Sequence, residues 1–310
     1  MIYTVTLNPA LDKTVEVLNL KADAVNRITT MRTDPGGKGI NVSKVIGKLG
    51  GRSMAVGILG GNTGRAIRES LSVMGIELGF VFVDGETRTN LKIIDPVNHQ
   101  NTDINEPGVT VSEEILNELL EKLLGQVKEG DIVVLSGSIP AGCPKDIYKV
   151  WTAALNEKGA KVIFDADGEQ FALGITASPY LIKPNNHELS AMVGKELKTP
   201  EELQVTAKEL MQQYGITKIV VSMGGAGALY VTADETIYAE AVKVPVGSTV
   251  GAGDSVVAAL AVAEEMGMSL EEAARLSTAT GAANVMCSGT QAAEYETVQE
   301  LMPRVVLHRM

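Results

Sequence analysis

The sequence predicts an α/β fold, a three-layer sandwich in which a mostly parallel central sheet lies between helices. Short apolar, strand-like runs occur at 3–7, 54–59, 131–135, 161–165, 180–183 and 218–222. Helical periodicity fills much of the chain between them, and this alternation is the signature of βαβ crossovers, which make strands parallel and cover both faces of the sheet. Size supports the same expectation, since 310 residues with 45% hydrophobic content suffice for a substantial core. The whole chain, 1–310, reads as a single domain.

Taken in order, the first run is followed by a segment, about 10–35, rich in Thr, Val, Asn and Asp and without helical period. A second such segment spans 87–108. Both read either as short strands outside the main sheet or as long surface loops; paired with each other they would form a small β-sheet lid. Val42, Val45, Ile46 and Leu49 share one helical face, and Leu116, Leu119, Leu120, Leu123 and Leu124 share another. Thr199 with Glu202 forms a capping box, with Pro200 at the first helical position, and opens a third helix. Beyond Gly253 the chain reads as mostly helical.

Bulk properties exclude several classes. A net charge of −11 leaves no basic stripe for nucleic acid, so none is expected as a partner. No run of about 18 apolar residues and no leader-like N-terminus are found, which points to a soluble, cytoplasmic protein without a membrane partner. Cys143 and Cys287 stand far apart with no metal-binding spacing, so neither a disulfide framework nor a zinc site is indicated. Cys287 ends an apolar stretch and reads as a small core residue.

The chemistry is most concentrated at 248–255, Ser-Thr-Val-Gly-Ala-Gly-Asp-Ser, just before an apolar helical stretch. Gly251 and Gly253 around Ala252 let backbone N–H groups crowd at a helix start, where they lack intrahelical acceptors and the dipole favours an anion. Asp254 in that place either caps the helix, or takes a proton from a group that attacks the anion.

A second glycine loop, Gly36-Gly37-Lys38-Gly39 with Asn41, offers backbone, a mobile cation and an amide; as a lone feature it also fits a tight strand-to-helix turn. Neither a G-x-x-x-x-G-K-[ST] loop nor an intact G-x-G-x-x-G fingerprint is present. Arg88, Asn90 and Lys92 recur at period two, so a strand would put them on one face, suited to a phosphorylated sugar or to guarding a solvated edge. Ser136 and Ser138 end an apolar strand, where open parallel sheets bind ligands. Asn185 and Glu188 share a helix face and offer oxygen to a hard cation, or else cap their own helix. The segment 222–227, Ser-Met-Gly-Gly-Ala-Gly, exposes amides that suit a nucleotide phosphate, or makes a glycine hairpin. His99, His187 and His308 have no partners that suggest chemistry.

Together and in this order, these segments resemble the ribokinase/PfkB carbohydrate kinase family essentially end to end. Gly251-Ala252-Gly253-Asp254 is similar to its C-terminal signature, and Gly36-Gly37-Lys38-Gly39 with Asn41 to its N-terminal one. The start, Thr6-Leu-Asn-Pro-Ala-Leu-Asp12, resembles the branch acting on sugar phosphates, and 87–92 the version acting on fructose 1-phosphate rather than tagatose 6-phosphate or fructose 6-phosphate. Two departures are visible: Pro35 precedes the glycines, and Ala166 stands in Asp165-Ala-Asp-Gly168 where a hydroxyl residue is usual.

The resemblance implies a ribokinase-like fold with a β lid and transfer of phosphoryl from ATP to a sugar phosphate. It implies Asp254 as general base, with Gly251, Ala252 and Gly253 as the anion hole. Asp12, Gly37 and Asn41 would position the sugar, and Arg88, Lys38 and Ser138 its phosphate, with Asn90 and Lys92 alongside. Arg27 would come from a partner subunit's lid in a homodimer. Lys183, Asn185, Ser222, Gly224, Gly225 and Gly227, together with Thr249, Gly251 and Gly253, would serve ATP. Asn185 and Glu188 would hold Mg²⁺ through water. A non-catalytic sugar-phosphate sensor is the contrasting expectation, and an intact Asp254 speaks against it.

Overall fold

The computed structural model describes residues 1–310. The chain opens with β1 (Ile2–Thr6), β2 (Ala10–Val17), β3 (Ile28–Gly36), α1 (Lys38–Lys48), β4 (Ser53–Gly60) and α2 (Gly61–Val73). There follow β5 (Glu77–Val83), β6 (Arg88–Asp95), β7 (Gln100–Asn105), α3 (Glu113–Leu124), β8 (Ile132–Ser136) and α4 (Ile147–Glu157). Next are β9 (Lys161–Asp165), α5 (Gly168–Gly174), β10 (Leu181–Ile182), α6 (Asn186–Val193), α7 (Pro200–Tyr214) and β11 (Lys218–Ser222). The remainder is β12 (Ala228–Val231), β13 (Thr236–Ala239), α8 (Ala252–Glu265), α9 (Leu270–Val285), α10 (Tyr295–Leu301) and β14 (Leu307–Arg309).

Ten strands form the central sheet in the order β14-β13-β12-β11-β10-β9-β8-β1-β4-β5. All pairs from β11 through β5 are parallel; β12, β13 and β14 add an antiparallel edge. Side chains alternate across it as period two demands. In β8, Val133 and Leu135 pack with Leu119 of α3, Trp151 of α4 and Leu203 of α7, whereas Ile132 and Val134 pack with Val42 of α1, Leu260 of α8 and Leu276 of α9. The three layers expected from the alternation are thus present. The strand expected at 180–183 contracts to two residues, and β5, β13 and β14, which are not among the expected strands, extend the sheet at its edges. Cys287 is half-buried against the helical core, and no helix is long and apolar enough to cross a membrane.

The two non-helical segments pair with each other in a separate four-stranded sheet, order β3-β2-β6-β7. Its registers place Asp12, Thr14, Asn90, Lys92, Asp103 and Asn105 on one face. The opposite face carries Val15, Met31, Leu91, Ile93 and Ile104. β6 is paired on both sides, so its charged residues do not guard an edge.

Asp95, at the end of β6, ties the connections of this sheet together. Its carboxylate accepts from the N–H groups of Asn19 at 3.1 Å, Leu20 at 2.8 Å and Val97 at 3.1 Å, and from Asn98 Nδ2 at 2.8 Å. A buried acceptor with this many donors organises two loops at once, because removing it strands several N–H groups. Asp95→Ala is therefore expected to leave the main sheet intact while loosening residues 18–27. Hydrogen exchange resolved by segment checks this: faster exchange spread evenly over the chain would contradict it.

Candidate active site

Strand order sets the location. From β1 the chain moves outward through β4 and β5, then returns to the other side of β1 to lay down β8, β9, β10 and β11 in turn. The order reverses between β1 and β8, and in open α/β sheets the crevice beyond the C-terminal ends of two such strands is where ligands bind. A cavity of about 460 Å³ lies there. β1 supplies Thr6 and Asn8 at its end, β8 supplies Gly137 and Ser138, and Val250 is the one apolar residue in the lining. So polar a wall suits a hydroxylated, charged ligand.

The glycine loop at 36–39 brings α1 up to this crevice. Gly37 has φ 110°, and a Cβ there would come within 2.6 Å of Thr6 Cγ2; a Cβ on Gly36 would fall 2.1 Å from Asp12 Oδ2. Glycine therefore lets the loop pass under the Asp12 carboxylate and start α1 against β1. Lys38 and Asn41 then project into the cavity from the first turn of α1.

At the α8 terminus the capping reading of Asp254 is not realised. Gly251, not Asp254, is the N-cap, at φ 81°, and no side chain caps the helix. Gly253 N–H and Asp254 N–H have no acceptor in the protein, whereas Ala252 N–H points to Thr249 O at 3.4 Å. The Asp254 carboxylate turns instead toward α1, where Asn41 Nδ2 donates to its Oδ2 at 2.9 Å. Burial first, and then the charge of Asp165, push its pKa up to about 6, against the Asn41 hydrogen bond and the ammonium groups of Lys38 and Lys183. A buried carboxylate poised near neutrality in a polar cleft is suited to proton abstraction.

A chain of alternating charge runs behind it. Lys38 Nζ lies 3.3 Å from Asp167 Oδ1 and 3.5 Å from Asp165 Oδ2, and Lys183 Nζ lies 3.4 Å from Asp165 Oδ1. Burial would lower the Lys38 pKa, but Asp165, Asp167 and Asp254 together raise it, so the ammonium is held charged. Lys183 also reaches the α8 terminus: a Cβ on Gly253 would lie 3.4 Å from its Nζ.

Asn185 and Glu188 form a reciprocal capping box on α6, with Glu188 N–H donating to Asn185 Oδ1 and Asn185 N–H to Glu188 Oε2, both at 2.8 Å. The local capping alternative is thus realised. Glu188 is also pushed up, by burial and by the nearby Asp167 charge, against its bond from the Asn185 N–H and the charge of Lys183. Asn185 bridges in parallel to Ser222 at the end of β11. The turn that follows holds Gly224, Gly225 and Gly227; a Cβ on Gly227 would strike Ala239 O at 2.0 Å. Lys183, Asn185, Ser222 and this turn do not line the cavity, nor does Thr249.

The second sheet forms the opposite wall. Register pairs Asp12 with Asn90 and Thr14 with Lys92, so Arg88, Asn90 and Lys92 face one way, and all three line the cavity with Asp12. Asn90 Nδ2 donates to Asp12 Oδ1 at 3.0 Å, and Arg88 Nη2 to Asn8 O at 3.0 Å. Arg88 Nε, Asn90 Oδ1 and Thr6 Oγ1 are buried without partners. Orphaned polar atoms at a cavity wall are what a bound ligand satisfies. Lys92 is 3.6 Å from Asp103. Arg27 is exposed on the β2–β3 connection and does not reach this cavity.

The cavity also draws on residues the sequence reading passed over: Asn8, Lys13, Thr14, Asp103, Asn105, Asp167, Gly289 and Thr290. Extending the period-two alternation from β6 into the partner strand at 100–105 would have found Asp103 and Asn105. No local signal marks Gly289 and Thr290, which the fold brings in from beyond α9. There Arg32 Nη2, on β3, donates to Ser288 O at 2.9 Å and joins the small sheet to this loop.

A buried, raised carboxylate beside free helix-terminal N–H groups, sharing a polar cavity with Arg88 and Lys92, suits an enzyme that transfers an anionic group to a small hydroxylated acceptor. The chain belongs to the pfkB family of carbohydrate kinases, whose description matches residues 5–297. It is similar to a 1-phosphofructokinase of Bacillus subtilis (strain 168), 39% identical over 312 residues and covering 100% of both chains. Its fold superposes with a TM-score of 0.92 on phosphofructokinase-2 from Escherichia coli in complex with potassium, 32% identical over 98% of each chain. It also matches ribokinase from Thermotoga maritima at 0.78, covering 98% and 99% of the two chains at 24% identity, which makes the fold ribokinase-like. The protein is accordingly an ATP-dependent carbohydrate kinase.

Titration of Asp254 gives two checkable outcomes. Turnover that needs its ionised form is expected to fall as pH drops below about 6, as a pH profile of kcat at saturating substrate would show. Its folded-state pKa lies above the ordinary 3.8, so folding takes up a proton between those values; its contribution to stability rises as pH falls through about 6 and is complete below 3.8. Asp254→Asn is expected to flatten that part of the melting-temperature profile, and an unchanged profile would contradict the burial account.

Proposed function

We propose that the protein phosphorylates the free primary hydroxyl of fructose 1-phosphate to give fructose 1,6-bisphosphate. The observation that carries this reading is that Asp254 and the cationic residues Arg88, Lys38 and Lys92 line one polar cavity. A substrate with an acceptor hydroxyl at one end and a phosphate at the other spans such a site. The relatives named 1-phosphofructokinase support the choice of sugar.

In this mechanism Asp254 Oδ1, left free by the Asn41 hydrogen bond to Oδ2, takes the hydroxyl proton as the oxygen attacks the γ-phosphorus of ATP and the bond from that phosphorus to the β–γ bridging oxygen breaks, so that ADP leaves. The unpaired N–H groups of Gly253 and Asp254 hold charge on the transferred group, with Gly251 and Ala252 shaping the turn. Asp12, Asn90, Asn41 and Gly37 orient the sugar. Arg88, Lys38, Lys92 and Ser138 hold its phosphate. Lys38 first has to exchange part of its pairing with Asp165 and Asp167 for the ligand.

ATP would lie along Lys183, Asn185, Ser222, the 224–227 turn and Thr249, beside Gly251 and Gly253 at the α8 terminus. Glu188 and Asp167 offer carboxylate oxygens that fit Mg²⁺ held through water rather than in an all-protein cage. The ion supplies charge neutralisation on the nucleotide phosphates. The small sheet acts as a lid whose closure keeps water from competing for the phosphoryl group.

ADP release measured over fructose 1-phosphate, fructose 6-phosphate, tagatose 6-phosphate and fructose is expected to give the highest kcat/KM with the first, and to need a divalent cation. Preference for fructose 6-phosphate or tagatose 6-phosphate would reassign the substrate within the family. Asp254→Asn is expected to lower kcat by roughly 10²-fold or more. Arg88→Ala is expected to act mainly on KM for the sugar phosphate, and an unchanged KM would remove its role.

The apolar face of the lid, with Met31 59% and Ile104 53% exposed, supports a homodimer formed lid to lid, which would bring Arg27 toward the partner's site. Sedimentation of Met31→Asp with Ile104→Asp is expected to show a monomer where the natural chain is a dimer; a monomeric natural chain would end this reading.

A further inference from the structure

Lys44 sits one turn beyond Asn41 on α1, half-buried behind the site, and the phosphoryl-transfer chemistry does not use it directly. Its Nζ donates to Asn41 Oδ1 at 3.2 Å and to Pro35 O at 3.1 Å. Asn41 in turn donates from Nδ2 to Asp254 Oδ2 at 2.9 Å. The three side chains form a line from a backbone carbonyl to the catalytic carboxylate.

The chemistry of the groups gives that line a direction. An asparagine amide presents an acceptor on one side and a donor on the other, and the two orientations are nearly the same in shape. Against Asp254 only the donor is favourable; a flipped amide would set its oxygen against a carboxylate oxygen. An ammonium has donors and no acceptor, so whatever it touches must present oxygen. Lys44 therefore allows one orientation of Asn41, the one that gives Asp254 a donor at Oδ2 and leaves Oδ1 for the substrate. Pro35 O fixes the ammonium itself, and Pro35 immediately precedes the glycine loop.

We propose that Lys44 is a positioning residue for the general base: it sets the donor face of Asn41 and thereby the orientation and acidity of Asp254. This rests on the assignment of Asp254 as base. The charged groups around the Lys44 ammonium are Asp12 from β2, Asp34 and Arg32 from β3 and Asp254 from α8. Burial lowers its pKa, and Asp34, Asp12 and Asp254 act in the opposite direction. None of these carboxylates takes it in an ion pair, so its hydrogen bonds go to the two neutral oxygens.

The test compares the kcat–pH profiles of the natural enzyme, Lys44→Met, Lys44→Arg, Asn41→Leu and the Lys44→Met/Asn41→Leu double variant. Lys44→Met keeps the length of the side chain and removes its donors. It is expected to lower kcat at neutral pH about tenfold and move the acid limb up by about one pH unit, because Asp254 loses a fixed donor. KM for the sugar phosphate should change less than kcat. Lys44→Arg, which again has only donors, is expected to restore most of both. In the Asn41→Leu background Lys44→Met is expected to add almost nothing, since the residue through which it acts is gone.

An acid limb unmoved in Lys44→Met, or an equal effect of Lys44→Met with and without Asn41, would overturn the inference. Should Lys44→Met fail to fold, the limb of Lys44→Gln decides, because glutamine can also accept and so permits both amide orientations; a limb identical to the natural enzyme's would overturn it. Asp254→Asn separates the two ideas. Retained turnover in that variant removes the base itself, whereas lost turnover there with an unmoved limb in the Lys44 variants removes only the positioning role.

Discussion

The hydrogen bond from Asn41 to Asp254 joins the first turns of two helices that start at opposite ends of the sequence. It exists because both helices begin at the same crevice, α1 through the glycine loop after β3 and α8 through the glycine turn at 251. A carboxylate in the first turn of a helix ordinarily lowers its own energy by accepting the free N–H groups there. Here a side chain from another element competes for it and wins, so those N–H groups stay available to an anion. The Asp254 carboxylate and the unpaired N–H groups of Gly253 and Asp254 thus lie on two consecutive residues without neutralising each other.

That arrangement places a negative group where another negative group must bind, and the surrounding charges resolve the conflict. Lys38 and Lys183 each lie within 3.5 Å of Asp165 between them, so the cations are shared among carboxylates and can be redistributed when phosphate arrives. Asp165 raises the Asp254 pKa while the two lysines lower it. The balance sets the pKa of this buried carboxylate at about 6, where a tight ion pair would instead have lowered it. The small sheet supplies the remaining cations on the far wall, and its polar face is directed there by strand register alone.

The layered fold was legible because strand and helix periods alternate along the chain, and α7 with its capping box follows directly from Thr199 and Glu202. The face shared by Arg88, Asn90 and Lys92 was equally legible, since period two survives whatever a strand pairs with. Pairing partners were not. Whether 10–35 and 87–108 would form one sheet depends on contacts about 80 residues apart, such as Asp12 with Asn90, and local pattern carries no information on these. For the same reason the orientation of Asp254 could not be read along the chain: Asn41, which holds its carboxylate away from the helix N–H groups, lies 213 positions away. Asn185 and Glu188 show the reverse case, where a local capping box is fully formed and any role toward a ligand adds to it.

Another buried carboxylate shows what distinguishes a functional group from a structural one. Glu264, at the far end of α8, accepts from Tyr180 Oη at 2.8 Å and pairs with Lys161 at 3.3 Å and with Lys218. Burial raises its pKa, but these partners outweigh that and bring it below the ordinary value. It lies by the starts of β9 and β11, where Lys161 and Lys218 begin their strands, and there cations and a hydroxyl meet every demand of the carboxylate. Asp254, ten residues earlier on the same helix, is buried with one donor and a neighbouring negative charge, and its pKa moves the other way. An aspartate at one end of α8 and a glutamate at the other both have carboxylates largely shielded from solvent; the deficit of partners is confined to the edge where the strands finish. A folded chain has no need of that deficit for stability, and in the proposed mechanism a substrate hydroxyl is the partner that completes it.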